Sequence, residues 1–286
     1  MKRTLKWALP VLLLIEGGLI WSGRLDLKDA LLIVVVIETL LIVAVVGEVL
    51  LVSRRYRRRR SEGLDFWTAL EDGLALIMPR KLARISVMEP RLFACLARWA
   101  LRRVRPSEDE FGYHGKSPLG YIVLMVLMTA PVEVLIFEIL LPWAWLRWTL
   151  LVLSVYAVFC ILGFYASLIT LPHRLESSGI RLRYGLFAEV FVPYTEVSGA
   201  EHAARKAPKP GDGLQTALDE GAVYLAINGK TDLTLRLSEP RPVRGFFKNT
   251  EPAAEIHFAA DDLERFLRNL RSHTSIQAGM AGTRVF

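Results

Sequence analysis

Four apolar stretches, near residues 5–22, 30–52, 119–141 and 149–171, constrain this chain more than any other feature in it. At 1.5 Å per residue each is long enough, as a helix, to cross about 30 Å of hydrocarbon. Lipid offers peptide groups no partner, so these stretches must pair their own backbone as helices, and an outer-membrane barrel is excluded. Composition agrees, since 52% hydrophobic and 23% charged residues over 286 positions is too apolar for a pair of soluble domains. The expected fold class is an α+β membrane protein, with a four-helix transmembrane bundle followed by a C-terminal β-rich domain.

Charge sets the expected orientation. Residues 53–118 hold 15 Lys and Arg against 8 Asp and Glu, a balance of +7 that equals the net charge of the whole chain. Short basic loops stay in the cytoplasm, so Arg54, Arg55, Arg57, Arg58, Arg59 and Arg60 place the end of the second span inside. Lys2, Arg3 and Lys6 agree for the N-terminus. The short, balanced connectors 23–29 and 142–148 then face outward. Both termini come out cytoplasmic, in a multi-pass protein of the inner or plasma membrane. Trp7, Trp21, Tyr121, Trp143, Trp145 and Trp148 fall at span ends, where amphipathic rings prefer the headgroup layer. A basic start before an apolar run is also how a signal peptide opens. No small-x-small site follows Trp21, however, and losing this segment would put the basic loops on inconsistent sides.

Residues 53–118 read as a basic, helical cytoplasmic loop between two transmembrane hairpins, 1–52 and 119–172. Phe66, Leu70, Leu74 and Ile77 recur at helical spacing, and Pro90 can open a second helix as a first-turn proline. In that second helix Arg91, Arg98, Arg102 and Arg105 share one face, while Leu92, Phe93, Leu96 and Trp99 share the other. Such a helix can lie in the interface with its arginines on anionic headgroups and Trp99 among the acyl chains. It can instead pack on the C-terminal domain; the span that follows about 15 residues on favours the membrane surface. Arginines beside a span are topology anchors far more often than nucleic-acid contacts, so no nucleic-acid role is expected.

The spans also carry carboxylates. Glu48 and Glu138 lie near span ends and can reach water or, for Glu48, the nearby arginines. Glu16, Glu38 and Glu133 are deeper, at about 17 Å, 21 Å and 21 Å from the cytoplasmic ends at the helical rise. Each costs on the order of 2.5 to 3.5 kcal/mol to insert, and apart from Lys6 at the very start of the first span no Lys, Arg or His stands inside a span to pair with them. They are protonated and hydrogen-bonded together, or they line a wet cavity, or they hold a cation. Thr129, ahead of Pro131, and Tyr156 could add oxygens to such a site. Carboxylates alone favour protons or hard divalent ions over copper or zinc.

Neither the cysteines, Cys95 and Cys160, nor the five scattered histidines form a disulfide framework or a metal-ligand pattern. No catalytic or nucleotide motif is present. No enzyme activity, cofactor or metal is therefore expected.

After Pro172 the pattern changes to strands. Ile180, Leu182 and Tyr184 alternate with Arg181 and Arg183, Gly185 turns the chain, and residues 189–194 return. Val223, Leu225 and Ile227 lead to Asn228-Gly229, a type I′ turn signal, and Leu233, Leu235 and Leu237 come back as the hairpin partner. Residues 205–221 read as a Pro- and Gly-rich loop, 255–259 as a strand, and 262–271 as a helix capped by Asp261, with residues 273–286 a disordered tail. The run HRLESSGIRLRYGLFAEVFVPYTEVSGAE, closed by FAADDLERFLRNL, resembles the bacterial pleckstrin-homology-like domain of small integral membrane proteins, over residues 173–272. The resemblance implies a β-barrel or sandwich capped by one helix and a scaffolding role, with no catalytic residue. Inositide-binding relatives carry basic residues in the first hairpin loop; Gly185-Leu186-Phe187-Ala188 has none. A second loop, with Arg241, Arg244, Phe246, Phe247 and Lys248, mixes cations with aromatics as a membrane-dipping loop would. The reading slightly favoured over this is that Phe246 and Phe247 belong to a core strand.

The expected function is an integral membrane scaffold or accessory protein that presents this domain to a protein partner or to the bilayer surface. The alternative is a proton or divalent-cation transporter or channel built on Glu16, Glu38 and Glu133.

Overall fold

The computed structural model describes residues 27–282, apart from 63, 103–106, 218–220 and 247. The fold is α+β, and the chain divides into two compact units, Met1–Ala83 and Arg84–Phe286. The first expected span, 5–22, lies outside the described residues.

In the first unit, helix α1 (Leu27–Ser61) carries the second apolar stretch and runs without a break into the arginine run. Helix α2 (Phe66–Leu74) begins at Asp65, whose carboxylate accepts from the N–H groups of Trp67 (3.0 Å) and Thr68 (3.2 Å) and so satisfies two of the first-turn donors. Arg59 of α1 pairs with Asp72 of α2 at 2.9 Å, and Tyr56 meets Phe66 edge-on. Helix α3 (Arg80–Ala100) starts at the end of this unit. Pro90 lies inside α3 and does not open it, ten residues after the helix begins, so the sequence reading placed this boundary wrongly. Proline there removes one internal hydrogen bond, and the packing of the following turns holds the helix across it.

The second unit contains helices α4 (Leu119–Leu140) and α5 (Ala144–Thr170), an antiparallel pair joined by a tight connector. Among the described residues, three helices are long and apolar enough to cross a membrane: α1 over Val35–Ser61, α4 and α5. Their side chains point outward over most of their length; Ile139 and Leu140 are at least 70% exposed. Such a surface is stable in lipid and unfavourable in water. Trp143, Trp145 and Trp148 are all exposed at and just after the α4–α5 connector, where an interfacial belt would place such rings.

The rest of the unit is a nine-stranded mixed sheet: β1 (Glu110–Phe111), β2 (His173–Glu176), β3 (Gly179–Tyr184), β4 (Ala188–Pro193), β5 (Val197–Lys206), β6 (Gly213–Ala217), β7 (Ala222–Ala226), β8 (Lys230–Gly245) and β9 (Asn249–Phe258). The alternation in β3 and β4 is realised, with Ile180, Leu182, Tyr184, Val190 and Val192 buried. The Asn228-Gly229 turn also forms, both residues at positive φ, closed by mutual hydrogen bonds between Ile227 and Lys230. The ladder expected beyond it does not. β9 lies between β7 and β8, parallel to the first and antiparallel to the second, so the two strands splay after one bridge. β6 and the last two residues of β5 fall within the stretch 205–221 read as a loop, and β8 is long enough to serve both ends of the sheet, pairing β5 near its start and β4 near its end.

Helix α6 (Leu263–Gly282) covers the core with Phe266 and Leu270. Its cap is Asp262, which accepts from the Arg265 N–H at 3.1 Å; Asp261, the expected cap, turns to accept from Gly115 N–H at 3.2 Å. The helix continues past Arg271 to Gly282, through residues read as a disordered tail, because no proline stops it there.

The core extends into the segments that flank α4 and α5. Leu168 near the end of α5 is fully buried within it, and so are Phe111 and Tyr113, which precede α4. The Tyr113 hydroxyl donates to Leu171 O at 3.2 Å and accepts from Gly185 N–H at 2.7 Å, while its ring stacks on His173. Gly185 has φ +49, and a Cβ there would stand 2.6 Å from Ser167 Oγ, so the turn between β3 and β4 can sit on α5 only with glycine.

Candidate functional site

Where the first turn of α4 meets the sheet, the surface opens into a cavity of about 860 Å³. Leu119 and Ile122 form its α4 side. Phe164 of α5, Phe187 in the β3–β4 turn and Phe246 after β8 form an aromatic wall, with ring centroids 4.6 Å apart for Phe164–Phe187 and 5.4 Å for Phe187–Phe246. Leu214 of β6 closes the far side, and Lys248, Thr250 and Glu251 stand at the rim.

Each wall is fastened by an identifiable contact. Ser117, one residue before the α4 cap, donates from Oγ to Asp212 at 2.6 Å and accepts from Leu119 N–H at 3.2 Å; Asp212 also accepts from the Asn228 N–H. This links the start of α4 to the approach to β6. Arg84 of α3 donates to the carbonyls of Gly245 (2.8 Å) and Phe246 (3.2 Å), which fixes the loop carrying Phe246. Thr250 Oγ1 accepts from Val243 N–H at 2.9 Å across the same loop. Burial, reinforced by the Asp212 carboxylate, pushes the Tyr184 hydroxyl above its usual range, so the cavity presents it as a neutral group. An apolar wall with a few polar groups at the mouth is the composition of a small-molecule or lipid site.

A second feature is electrostatic. Glu189 of β4 meets Arg181 (2.7 Å), Arg183 (3.2 Å) and, from α3, Arg91 (3.9 Å). Burial raises the Glu189 pKa, and the three guanidinium groups outweigh it, holding the carboxyl below its ordinary range. Arg181, also bonded to Glu176, is held above the ordinary range by those carboxylates.

Of the residues singled out from the sequence, some can be placed on their elements. Glu16 lies outside the described residues. Glu38 lies in α1 and Glu133 in α4. Glu133 is exposed and accepts a hydrogen bond from Ser154 Oγ at 3.4 Å, while Thr129 donates back to Met125 O at 3.0 Å within α4. Tyr156 donates to Glu89 of α3. Among the described residues no three of His, Cys, Asp and Glu gather as a metal ion would need. Glu138 has a partner the sequence reading missed, Arg147 at 2.6 Å across the α4–α5 connector.

Of the arginine run, Arg54, Arg57, Arg58 and Arg60 are exposed and Arg55 and Arg59 half-buried; Arg58 and Arg59 pair with Glu62. On α3, Arg98 and Arg102 are exposed, Arg91 turns toward Glu189, and Arg105 lies outside the described residues. The apolar side of α3 meets α5, a partner the sequence reading did not weigh: Trp99 packs edge-on against Tyr165, and Leu92 lies so close to Gly163 that any Cβ there would overlap it. The cavity itself escaped sequence reasoning apart from its loop, where the mix of Phe246 and Lys248 with arginines was the available signal. No protein-family model, no curated protein and no solved structure matches this chain.

Proposed function

We propose that the chain is an integral membrane scaffold in which four spans, residues 5–22 being the first, carry a cytoplasmic pleckstrin-homology-like module that docks a protein partner. The exposed arginines at the end of α1 would rest on anionic headgroups. The observation that carries this reading is the absence of a linker between span and module: Leu168 of α5 belongs to the core of the sheet, and β2 begins three residues after α5 ends. A module fastened in this way holds its surface at a fixed height and angle to the bilayer, as a docking platform needs and a tethered domain does not provide.

The test has two arms. A single cysteine placed at Lys209 in a chain lacking Cys95 and Cys160 should react with an impermeant maleimide only in inverted vesicles; reaction in intact cells would reverse the orientation. Photocrosslinkers at the exposed positions Arg205 and Glu239 should then give a discrete protein adduct in native membranes. If no adduct forms, and reconstituted vesicles instead pass protons or divalent cations in a manner lost in Glu38→Gln and Glu133→Gln, the scaffold reading gives way to transport.

A further inference from the structure

We propose that the cavity between α4 and the sheet holds one acyl chain of a membrane phospholipid, with the lipid phosphate at Lys248. This rests on the membrane placement of α4 and α5 and not on the scaffold role.

Three observations converge. The cavity, at about 860 Å³, falls within the size range of ligand sites, and its wall is made of Leu119, Ile122, Phe164, Phe187, Leu214 and Phe246. Such a surface is costly to leave against water and favourable to leave against hydrocarbon. Second, hydrocarbon would be adjacent with α4 in a membrane. Ile122 lines the cavity from α4, the first apolar helix of the hairpin, and is 47% exposed, while its neighbour Tyr121 is 77% exposed, an aromatic ring at the helix start as the interface prefers. A chain would then reach the cavity from the bilayer along α4 without crossing water. Third, the rim is polar where a headgroup would sit. Lys248 is exposed at the mouth and makes no ion pair among the described residues, so its ammonium is placed to donate to a phosphate; of the two carboxylates that also line the cavity, Asp212 is already committed to Ser117 and Asn228. Glu251, also at the rim, repels anions and favours a head that carries an ammonium beside its phosphate. The Arg84 clamp on Gly245 and Phe246 keeps the mouth from collapsing onto the wall.

The full-length chain, reconstituted in vesicles of equal parts phosphatidylethanolamine and phosphatidylglycerol, is irradiated with a phosphatidylethanolamine bearing a diazirine midway along one acyl chain. Adducts mapped by mass spectrometry should fall on Leu214, Phe187 and Phe246 of the sheet domain, besides lipid-facing Ile136 and Val152. Leu214→Trp, which fills the cavity, should reduce the sheet-domain adducts about fivefold and leave those on Ile136 and Val152 unchanged. Should that variant fail to fold, Lys248→Glu, an exposed change, should retain severalfold less phospholipid by native mass spectrometry. Adducts confined to the spans, or equal retention in Lys248→Glu, would overturn the proposal while leaving membrane insertion intact. Absence of adducts on Ile136 and Val152 as well would overturn the membrane placement from which it starts.

Discussion

His173 shows how one side chain can couple the core to pH. It is fully buried, its Nδ1 accepts from Arg183 N–H at 3.1 Å, and its Nε2 donates to Ala259 O at 3.0 Å, so the neutral ring with its proton on Nε2 satisfies both neighbours. Burial brings its pKa down to about 4 from the usual 6.5, with the Arg183 charge adding to the effect against the Ala259 carbonyl. The unfolded chain therefore takes up a proton that the folded chain refuses. Stability from this residue is complete above about pH 6.5, is lost as pH falls, and is gone near pH 4, a difference of about 3 kcal/mol. Melting curves over that window should show the fall, and His173→Phe should flatten it. The same variant should start about 2 to 4 kcal/mol lower at neutral pH, because Arg183 N–H and Ala259 C=O are left buried without a partner. An unchanged pH slope in His173→Phe would assign the effect elsewhere. Glu189 titrates in a separate window: its depressed pKa supplies stability above the ordinary carboxylate range that is lost only as pH falls through the lowered value, so it does not mimic His173.

At the scale of elements, α3 depends on a surface that only glycine allows. Leu92 seats against Gly163 of α5, and its burial relies on that approach. Gly163→Val should push α3 outward, cost about 2 to 4 kcal/mol through lost packing and overlap, and shift Trp99 fluorescence to the red as its contact with Tyr165 opens. A variant with native emission and stability would show the helices pack elsewhere. What the sequence made legible among the elements follows from how strongly each pattern depends on local chemistry. β3 and β4 alternate cleanly because one face is core, and the Asn228-Gly229 turn is written in two residues. β5 was illegible because most of its residues are exposed or half-buried and two bulges interrupt its register with β8. β6 was hidden by its shortness and its Gly start, and the insertion of β9 between β7 and β8 is a long-range pairing that no local pattern encodes. The cavity was illegible for the same reason: its walls come from α4, α5, β6 and two loops far apart in the chain.

For the molecule as a whole, composition suggested a soluble domain beginning at residue 173, after the last span. The core does not respect that boundary. β1 precedes α4, β2 follows α5, and the two pair with Phe111 opposite His173, so the α4–α5 hairpin is an insertion within the sheet domain. The ends of the hairpin lie side by side, since a Cβ on Gly120 would be 3.3 Å from the Tyr165 hydroxyl. A fragment of residues 173–282 would therefore lack Phe111, Tyr113 and Leu168, three fully buried side chains. Losses of about 3 to 5 kcal/mol per large core residue, taken together, match or exceed the 5–15 kcal/mol that holds a typical domain. Residues 107–117 joined by a short Gly-Ser link to residues 166–282 would restore all three, because the link replaces only the inserted hairpin and closing a short loop costs little. In urea, the fragment 173–282 should unfold without a cooperative transition, and the linked chain should show a single one monitored by tyrosine near-ultraviolet dichroism. A cooperative transition of equal midpoint in the fragment would mean that the segment before α4 is decoration. Loss of cooperativity in both would mean that the sheet needs the spans themselves to fold.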